Sequence, residues 1–164
     1  MRTWNQAYRD KLLDPVQIET TVATLKKEGK TIATLNGSFD LLHAGHLHMI
    51  YEASQVADVL IVALNTDKSI QQYKSPLRPI IPLEYRLQMM AALSFVSYVT
   101  WFDETDPRAL LAKIKPDVHV NGAEYGDACI EAEVVKTHGG RLHLVDRIPS
   151  LATSAIIEKI KTCE

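Results

Sequence analysis

The sequence lacks the signatures of several protein classes. Its only two cysteines, Cys129 and Cys163, form no metal-binding or redox pattern, which is typical of reduced thiols in the cytoplasm. No apolar run approaches the roughly 20 residues that span a bilayer. The first residues, Met-Arg-Thr-Trp-Asn-Gln, also lack the apolar stretch of a secretory signal. We therefore predict a cytoplasmic protein that does not associate with membranes.

An excess of charge of one sign is also lacking. The chain has 18 Lys and Arg against 20 Asp and Glu, which gives a formal net charge of −2. A broad basic surface for nucleic acid is therefore not expected, and a phosphate group would have to be held by a local constellation. Repeats, low-complexity segments and linkers are absent as well. We expect residues 31–164 to form one domain, preceded by an N-terminal helical extension over residues 1–30.

Short apolar, β-branched runs alternate with segments of helical periodicity along this domain. The predicted strands cover residues 31–35, 59–64, 97–102, 117–121 and 142–145. This alternation predicts an α/β fold: a Rossmann-like, doubly wound parallel sheet of about five strands in three α/β/α layers. Ligands of such sheets bind beyond the carboxyl ends of the strands. The segments expected to form the site are therefore 36–46, 65–79, 121–126 and 147–154.

Local patterns also predict the elements beside these segments. Two prolines favour an irregular loop over 65–79. Pro82 is predicted to begin a helix, whose expected inner face is Tyr85, Met89, Ala92 and Leu93. Either Thr153 or Ser154 is expected to cap the last helix. The inward side chains of that helix would be Ile156, Ile157 and Ile160.

The most informative stretch is Asn-Gly-Ser-Phe-Asp-Leu-Leu-His-Ala-Gly-His at residues 36–46. It joins a strand to a helix that begins near Gly45, so it presents backbone N–H groups and the positive end of a helix dipole to an anion. His43 and His46 are three residues apart and can share one face of the first helical turn. Neutral imidazoles there would donate hydrogen bonds to phosphate oxygens, more strongly as negative charge develops.

Two simpler interpretations of these histidines remain open on the residues alone. A single histidine near a helix start is more often a cap or a solvated side chain. A zinc pair is the second alternative. However, histidine pairs that bind metal on a helix more often lie four residues apart, and no cysteine or third histidine completes a recognisable spacing here.

Taken together, G-x-F-D and H-x-G-H after a first strand resemble the H-x-G-H nucleotidyltransferases, specifically the cytidylyltransferase-like group. These enzymes transfer a nucleoside monophosphate from a nucleoside triphosphate onto a phosphate or similar group and release pyrophosphate. The resemblance implies that His43 and His46 are catalytic. It also implies that the surrounding turn binds the nucleotide, through Asn36, Gly37, Ser38, Phe39 and Gly45.

The resemblance extends to loops later in the chain. Lys74 is implied to be a third catalytic residue, which reaches the α-phosphate region. Arg147, Thr153 and Ser154 resemble the segment R-x-x-G-I-S-T-[ST], whose hydroxyls lie over the β- and γ-phosphates. This chain departs from that pattern, because Ser150 replaces the glycine and Ala152 replaces the first serine.

The segment Asn121-Gly122-Ala123-Glu124-Tyr125 resembles V-K-G-G-D-Y of bacterial heptose 1-phosphate adenylyltransferases, the second half of bifunctional heptose kinase/adenylyltransferases. Asn121, Gly122 and Glu124 are implied to bind the nucleotide, with Asn121 and Glu124 replacing the family's lysine and aspartate. The implied reaction transfers AMP from ATP to a sugar 1-phosphate such as D-glycero-D-manno-heptose 1-phosphate. Two alternatives remain: a cytidylyltransferase that uses CTP and glycerol 3-phosphate, and a non-catalytic nucleotide- or flavin-binding module.

The resemblance also leads to expectations about the acceptor, the metal and the assembly. Polar residues near the first two strand ends are candidates for binding the phosphorylated acceptor: Asp40, Asn65, Asp67, Arg78 and Arg86. Mg²⁺ is expected to arrive with the triphosphate rather than to occupy a protein cage. We also expect a homodimer.

Overall fold

The chain forms a single five-stranded parallel sheet in the order β3-β2-β1-β4-β5. The computed structural model describes residue 1, residues 3–146, residue 148 and residues 151–163. The strands are β1 (Ile32–Gly37), β2 (Val59–Asn65), β3 (Tyr98–Phe102), β4 (Val118–Gly122) and β5 (Arg141–Val145). Each of them overlaps a strand predicted from the sequence, and the predicted α/β fold is confirmed.

Eight α-helices connect or flank the strands of the described chain. They are α1 (Trp4–Ala7), α2 (Ile18–Lys27), α3 (Ala44–Ser54), α4 (Asp67–Tyr73), α5 (Leu83–Ala92), α6 (Arg108–Ile114), α7 (Ala132–Thr137) and α8 (Thr153–Lys161). Short 3₁₀ turns cover Tyr8–Lys11, Pro15–Gln17 and Ala123–Tyr125. Within the part of the chain that is described, no helix has the length and apolar character needed to cross a bilayer.

Two hydrophobic cores lie on opposite faces of the sheet. On one face, α3 and α5 pack on the strands through Ile50 and Leu87, among others. On the other face, α2 and α6 contribute Val22 and Ile114. β2 has seven residues and all of them are buried, because helices cover both of its faces. The result is the three-layer arrangement expected for a doubly wound sheet.

The segment before β1 contributes directly to this core. The backbone N–H of Leu13 donates to the carbonyl of Val99 at 2.8 Å, which places Leu13 beside β3. Ile18 and Leu25 of α2 are buried in the same cluster as Ile32 and Ile61 of the sheet. These early residues therefore cover one face of the sheet.

The order of the strands also determines where a ligand can bind. The chain leaves β1 through α3 towards β2 on one side, whereas β4 pairs with the opposite edge of β1. Connections that diverge in this way open a crevice at the carboxyl ends of the two central strands. β1 continues through Asn36 and Gly37, two residues beyond the predicted strand, so it delivers the 36–46 segment directly to this crevice.

The expectation of an irregular loop over 65–79 is wrong for half of that segment, because α4 forms at Asp67–Tyr73. The side chain of Thr66 accepts a hydrogen bond from the backbone N–H of Ser69 at 3.2 Å and so caps the helix. Ser69 and Ile70 are buried against the protein. Capping and burial therefore stabilise a helix that the two later prolines do not interrupt.

The expected inner face of α5 is displaced by one position. Its buried residues are Arg86, Leu87, Met90 and Ala91, whereas Tyr85 and Met89 are exposed. Arg86 is the cause, because its guanidinium donates to backbone carbonyls inside the protein. A polar side chain with buried partners therefore sets the rotation of this helix.

Two expectations about α8 also require correction. The N-cap residue is Ala152, which has no side-chain acceptor, so neither Thr153 nor Ser154 caps the helix. The Thr153 hydroxyl instead donates to the backbone carbonyl of Asp40 at 2.9 Å. No residue of α8 is buried, and Ile160 of the expected inward set is exposed.

A buried histidine lies in the middle of the sheet. His119 of β4 is paired in register with Thr34 of β1, and its Nδ1 lies 2.9 Å from the Thr34 hydroxyl. Among the described residues its Nε2 has no hydrogen-bond partner. Burial lowers the pKa of His119 from 6.5 to about 4, because an imidazolium cannot be solvated there.

We predict that this histidine contributes to the pH dependence of stability. Between pH 6.5 and 4 the unfolded chain binds a proton at His119 and the folded chain does not. The free energy of unfolding therefore decreases as the pH is lowered through this range, by at most ~1.4 kcal/mol per pH unit for one proton. Urea unfolding of His119→Gln at several pH values should show a shallower slope, by about 1 kcal/mol per pH unit.

The matched control is His138→Gln, which removes an exposed histidine at the end of α7. Its slope should equal that of the unmodified chain. The prediction fails if His119→Gln and the unmodified chain lose stability at the same rate over this pH range, whatever their absolute stabilities.

Candidate functional site

The turn between β1 and α3 has an unusual backbone. Phe39 and Leu41 have φ angles of 47° and 52°, in the left-handed region that residues with a Cβ rarely adopt. Such conformations persist only where the surrounding structure enforces them. The turn therefore depends on contacts with other segments of the chain. Most of these contacts are made by the residue between Phe39 and Leu41.

That residue is Asp40, whose side chain is fully buried. Its carboxylate accepts hydrogen bonds from the backbone N–H groups of Ile80 and Ile81, each at 2.9 Å, and from Arg78 Nε at 2.8 Å. Burial acts to raise the pKa of Asp40. The two backbone donors and Arg78 outweigh that effect and hold the pKa below its usual value. An ionised carboxylate thus joins the turn to the segment before α5.

A second buried charge acts beside it. Arg86 is 1% exposed, and its Nη1 donates to the carbonyls of Ser38 at 2.7 Å and Asn65 at 2.9 Å. Its Nε donates to the carbonyl of Ile81, and its Nη2 donates to Asp67 Oδ1 at 2.7 Å. One guanidinium therefore fixes the ends of β1 and β2 relative to each other and to α5.

The two histidines are brought together at the start of α3, as the sequence predicts. Their rings stack with centroids 3.8 Å apart and planes 23° apart. His43 is the N-cap, and its Nδ1 accepts from the backbone N–H of Gly45 at 3.1 Å and of His46 at 3.4 Å. Because Nδ1 is an acceptor, the proton of the neutral His43 ring is on Nε2.

Gly45 makes this arrangement possible. A Cβ built on Gly45 would lie 3.0 Å from the His43 ring and 3.2 Å from the Cβ of Leu151. A larger residue would therefore displace either the capping ring or the segment that leads into α8. The glycine of H-x-G-H is favoured here by the limited space and not by an unusual backbone, since its backbone is helical.

Cationic side chains line the opposite side of the turn. Lys74 Nζ donates to the Ser38 hydroxyl at 3.0 Å. Partial burial, and then the positive charge of Arg78, lower the pKa of Lys74. A bound anion would relieve this repulsion and hold Lys74 in its charged form. The electrostatics of this wall therefore favour phosphate.

These elements enclose an open cleft of about 690 Å³ at the carboxyl ends of the strands. Most of the predicted site residues line it: Asn36, Gly37, Ser38, Phe39, His43, Gly45, His46, Asn65, Lys74, Arg78, Asn121, Gly122, Glu124, Thr153 and Ser154. Arg147 lies outside the described residues. The geometry brings the predicted set together, and the role of each residue stays a prediction.

Three acceptor-binding candidates are not among the lining residues. Asp40 and Arg86 are buried beneath the cleft, with the partners described above. Asp67 Oδ1 accepts from Arg86 Nη2 and from the backbone N–H of Leu83. Asp40 and Arg86 are buried supports of the walls, which does not fit direct contact with the acceptor. Asp67 is partly exposed, and its role stays a prediction.

The sequence analysis missed several residues that line the cleft. They include Tyr73, Thr105, Tyr125, Ile130 and Glu131. Glu131 is the most notable, because it is a carboxylate only 6% exposed. No sequence pattern identifies it, since it lies at the start of α7 outside the recognised motifs. Proximity to Asn121 places it in the site, and that proximity is a property of the tertiary structure.

No group of three or more His, Cys, Asp or Glu side chains in the described chain is arranged to hold a metal ion. The cleft does offer donors for an anion: the N-termini of α3 and α8, the Nε2–H of His43 and the Lys74 ammonium. Such donors can bind a polyphosphate and stabilise charge that develops on it.

A cleft at the switch point of a doubly wound parallel sheet is typical of nucleotide-binding α/β proteins. Within that class, the chain belongs to the cytidylyltransferase-like family, whose sequence profile matches residues 34–164. The resemblance inferred from the H-x-G-H motif is thus confirmed over almost the whole sheet.

Individual relatives support the same assignment. The bifunctional protein HldE of Hahella chejuensis is 37% identical over 146 residues, which cover 88% of this chain and 31% of the relative. HldE of Geobacter sulfurreducens is 41% identical over 140 residues, which cover 85% of this chain and 29% of the relative. The chain therefore spans about 30% of the length of these relatives.

Solved structures show a similar fold. A lipopolysaccharide core biosynthesis protein from Thermoplasma volcanium has a TM-score of 0.58 and 27% identity, covering 73% of this chain and 98% of that one. A pantoate-beta-alanine ligase from Francisella tularensis has a TM-score of 0.60 and 17% identity, covering 93% and 79% respectively. The ligase, at its low identity, is evidence for the fold alone.

We predict that Asp40→Asn destabilises the chain by about 3 kcal/mol, because it replaces one carboxylate oxygen by an NH₂ group facing buried donors. The matched control is Asp106→Asn, which also removes a carboxylate paired with an arginine, here Arg108 at 2.9 Å. That pair lies at the surface, with side chains that are 59% and 31% exposed, so its loss should cost less than about 1 kcal/mol. Chemical unfolding measures both. Equal effects of the two substitutions would contradict the role given to Asp40.

Proposed function

We propose that the chain transfers AMP from ATP to a sugar 1-phosphate, of the D-glycero-D-manno-heptose 1-phosphate type, and releases pyrophosphate. The observation that carries this proposal is the stacked histidine pair at the start of α3. Binding alone needs only backbone amides at a helix N-terminus. Here His43 lines the cleft with its Nδ1 held by the helix cap, so the Nε2–H of a neutral ring would suit charge developing on phosphorus.

In the proposed reaction, a phosphate oxygen of the acceptor attacks the α-phosphorus in line with the departing pyrophosphate. One P–O bond forms as the bond to the bridging oxygen breaks, and the pyrophosphate oxygen takes the electron pair. A phosphate monoester is already an adequate nucleophile, so no covalent enzyme intermediate is needed. The contribution of the protein is positioning and charge neutralisation.

Each catalytic residue has a place in this scheme. His43 and His46 stabilise the α-phosphate and the bridging oxygen, and Lys74 neutralises developing charge. The N-terminus of α8, with the Ser154 hydroxyl at the cleft, holds the β- and γ-phosphates. Thr153 acts here by tying α8 to the carbonyl of Asp40, so that both helix N-termini meet the same ligand.

Mg²⁺ is part of the proposal as a companion of the triphosphate. It prefers oxygen ligands, keeps several waters and is commonly bound through substrate phosphates with few protein ligands. The cleft fits that mode, because the oxygen-bearing side chains that line it include Glu124 and Ser154. The metal would neutralise charge on the leaving pyrophosphate.

The nucleotide and the acceptor follow from the resemblance of several segments to the heptose 1-phosphate adenylyltransferases. Two relatives carry the name bifunctional protein HldE, and one similar structure is named a lipopolysaccharide core biosynthesis protein. Asn121 and Glu124 replace the lysine and aspartate of that family, and both line the cleft. The second candidate, cytidylyl transfer to glycerol 3-phosphate, rests on the shared G-x-F-D-L-L-H-x-G-H motif. A homodimer also remains a proposal.

The decisive experiment measures pyrophosphate release for ATP and CTP, each combined with heptose 1-phosphate, hexose 1-phosphates and glycerol 3-phosphate. The proposal predicts turnover with ATP and a sugar 1-phosphate, loss of turnover with EDTA and recovery with added Mg²⁺. Turnover only with CTP and glycerol 3-phosphate would establish the second candidate instead. Nucleotide binding without pyrophosphate release in any combination would indicate a non-catalytic module.

His43 provides a test that separates catalysis from capping. His43→Ala removes both the Nδ1 cap and the Nε2 donor, whereas His43→Asn restores a good N-cap residue without the ring. Loss of a donor to developing charge typically lowers kcat by about 10²–10³. We expect both variants to lose that much, with KM for the triphosphate much less affected and the Asn variant more stable to unfolding. If His43→Asn kept more than half of the turnover, His43 would be only a cap.

A further inference from the structure

The cleft has a second wall whose polar groups the proposed reaction does not use. β1 and β4 are paired at Leu35 and Val120, so Asn36 and Asn121 follow side by side at the carboxyl ends of these strands. Both line the cleft. Within the described chain, the buried Asn36 Oδ1 has no hydrogen-bond partner. Buried acceptors are normally hydrogen-bonded, so a ligand that supplies a donor would satisfy this oxygen.

Glu131 lies behind Asn121 on the same wall. The amide of Asn121 is oriented by its own backbone, because Oδ1 accepts from the N–H of Gly122 at 3.0 Å. Its Nδ2 therefore faces Glu131 Oε2, although at a long 3.4 Å. A carboxylate has about four acceptor positions on two oxygens. The long amide contact and the Cys129 thiol use part of that capacity and leave the rest for a ligand, in a residue that is only 6% exposed.

The two walls differ in electrostatic character. Lys74 and Arg78 contact Ser38 and Asp40 of the turn after β1. Glu131 instead lies beside Asn121 at the end of β4. Phosphate is therefore attracted to the first wall and repelled from the second. What the second wall can bind is a group that donates hydrogen bonds and carries no negative charge. The hydroxyls of a sugar ring are such a group, and a carboxylate can accept from two neighbouring hydroxyls at once.

We propose that Glu131, together with Asn36, is a specificity-determining site that accepts hydrogen bonds from the vicinal hydroxyls of a sugar ring. This inference rests on the proposed function and deepens it, because it requires a ligand with phosphate at one end and ring hydroxyls at the other. Two rings in the reaction carry such hydroxyls: the ribose of the nucleotide and the sugar of the acceptor.

The test is a binding cycle that needs no turnover. Calorimetry on Glu131→Ala would use a non-hydrolysable ATP analogue and its 2′-deoxy and 3′-deoxy counterparts. It would also use a hexose 1-phosphate and the corresponding deoxy sugars. Loss of hydrogen bonds to a charged acceptor predicts about 10- to 100-fold weaker binding of the ligand that Glu131 contacts. For the counterpart that lacks the contacted hydroxyl, the same substitution should change affinity less than about threefold.

The two series of ligands show which of the two rings supplies the hydroxyls that Glu131 contacts. Coupling to a 2′- or 3′-hydroxyl assigns the site to the ribose, and coupling to a ring hydroxyl of the hexose assigns it to the acceptor. Either result supports the proposal. Equal loss for every ligand, or no loss for any, overturns it. Because binding is measured directly, these outcomes can be read even if no pyrophosphate is released, so failure of the proposed reaction is detected separately.

Two further variants keep the test independent of folding. Glu131→Gln preserves the shape and one acceptor oxygen, so it should weaken binding less than Glu131→Ala and still show the coupling. Glu133→Gln is the matched control, because it removes a carboxylate from an exposed position of the same helix. It should bind every ligand as the unmodified chain does. Thermal unfolding checks that all three variants are folded at the assay temperature.

Discussion

The buried carboxylate of Asp40 is the constraint on which the rest of the site depends. The turn after β1 places two residues with side chains in the left-handed region, and only external contacts can maintain that backbone. Asp40 supplies them by accepting two backbone N–H groups and an arginine from the segment before α5. Isolating such a charge from water is costly, and it is tolerated here because the carboxylate is paired and its hydrogen bonds are made. Its own carbonyl then receives the Thr153 hydroxyl, which brings α8 to the turn.

Arg86 complements Asp40 because it carries the opposite charge. Its guanidinium donates to carbonyls at the ends of β1 and β2, which would otherwise be acceptors without donors. The two charges therefore hold three chain segments in one arrangement before any ligand arrives. Preorganised donors are what stabilise charge in a transition state without further reorganisation. The histidine pair gains from this rigidity, because His43 is fixed both by the turn that precedes it and by the backbone N–H groups that it caps.

The two parts of the resulting cleft suit different chemical groups. Helix N-termini, His43 and Lys74 make one part suitable for phosphates, whereas Asn36 and Glu131 make the other suitable for hydroxyl groups. A sugar nucleotide has the same two-ended chemistry. The topology explains why both parts belong to one site. β1 and β4 are neighbours in the sheet, and the segments that follow them diverge, so both strands end at the same crevice.

The amino-acid sequence by itself determined the strands, their parallel alternation with helices and the H-x-G-H turn, because these depend on local apolar runs and on spacing along the chain. Most predicted site residues also reached the cleft, since they follow strands of one parallel sheet. Tertiary structure decided the rest. Asp40 and Arg86 became internal supports, α5 rotated to bury Arg86, and Glu131 entered the site beside Asn121. The physical reason is that each of these outcomes is a pairing between distant residues, such as the bond from Thr153 to Asp40 across 113 positions. Partners of that kind are chosen by packing in three dimensions, which no local pattern of residues records.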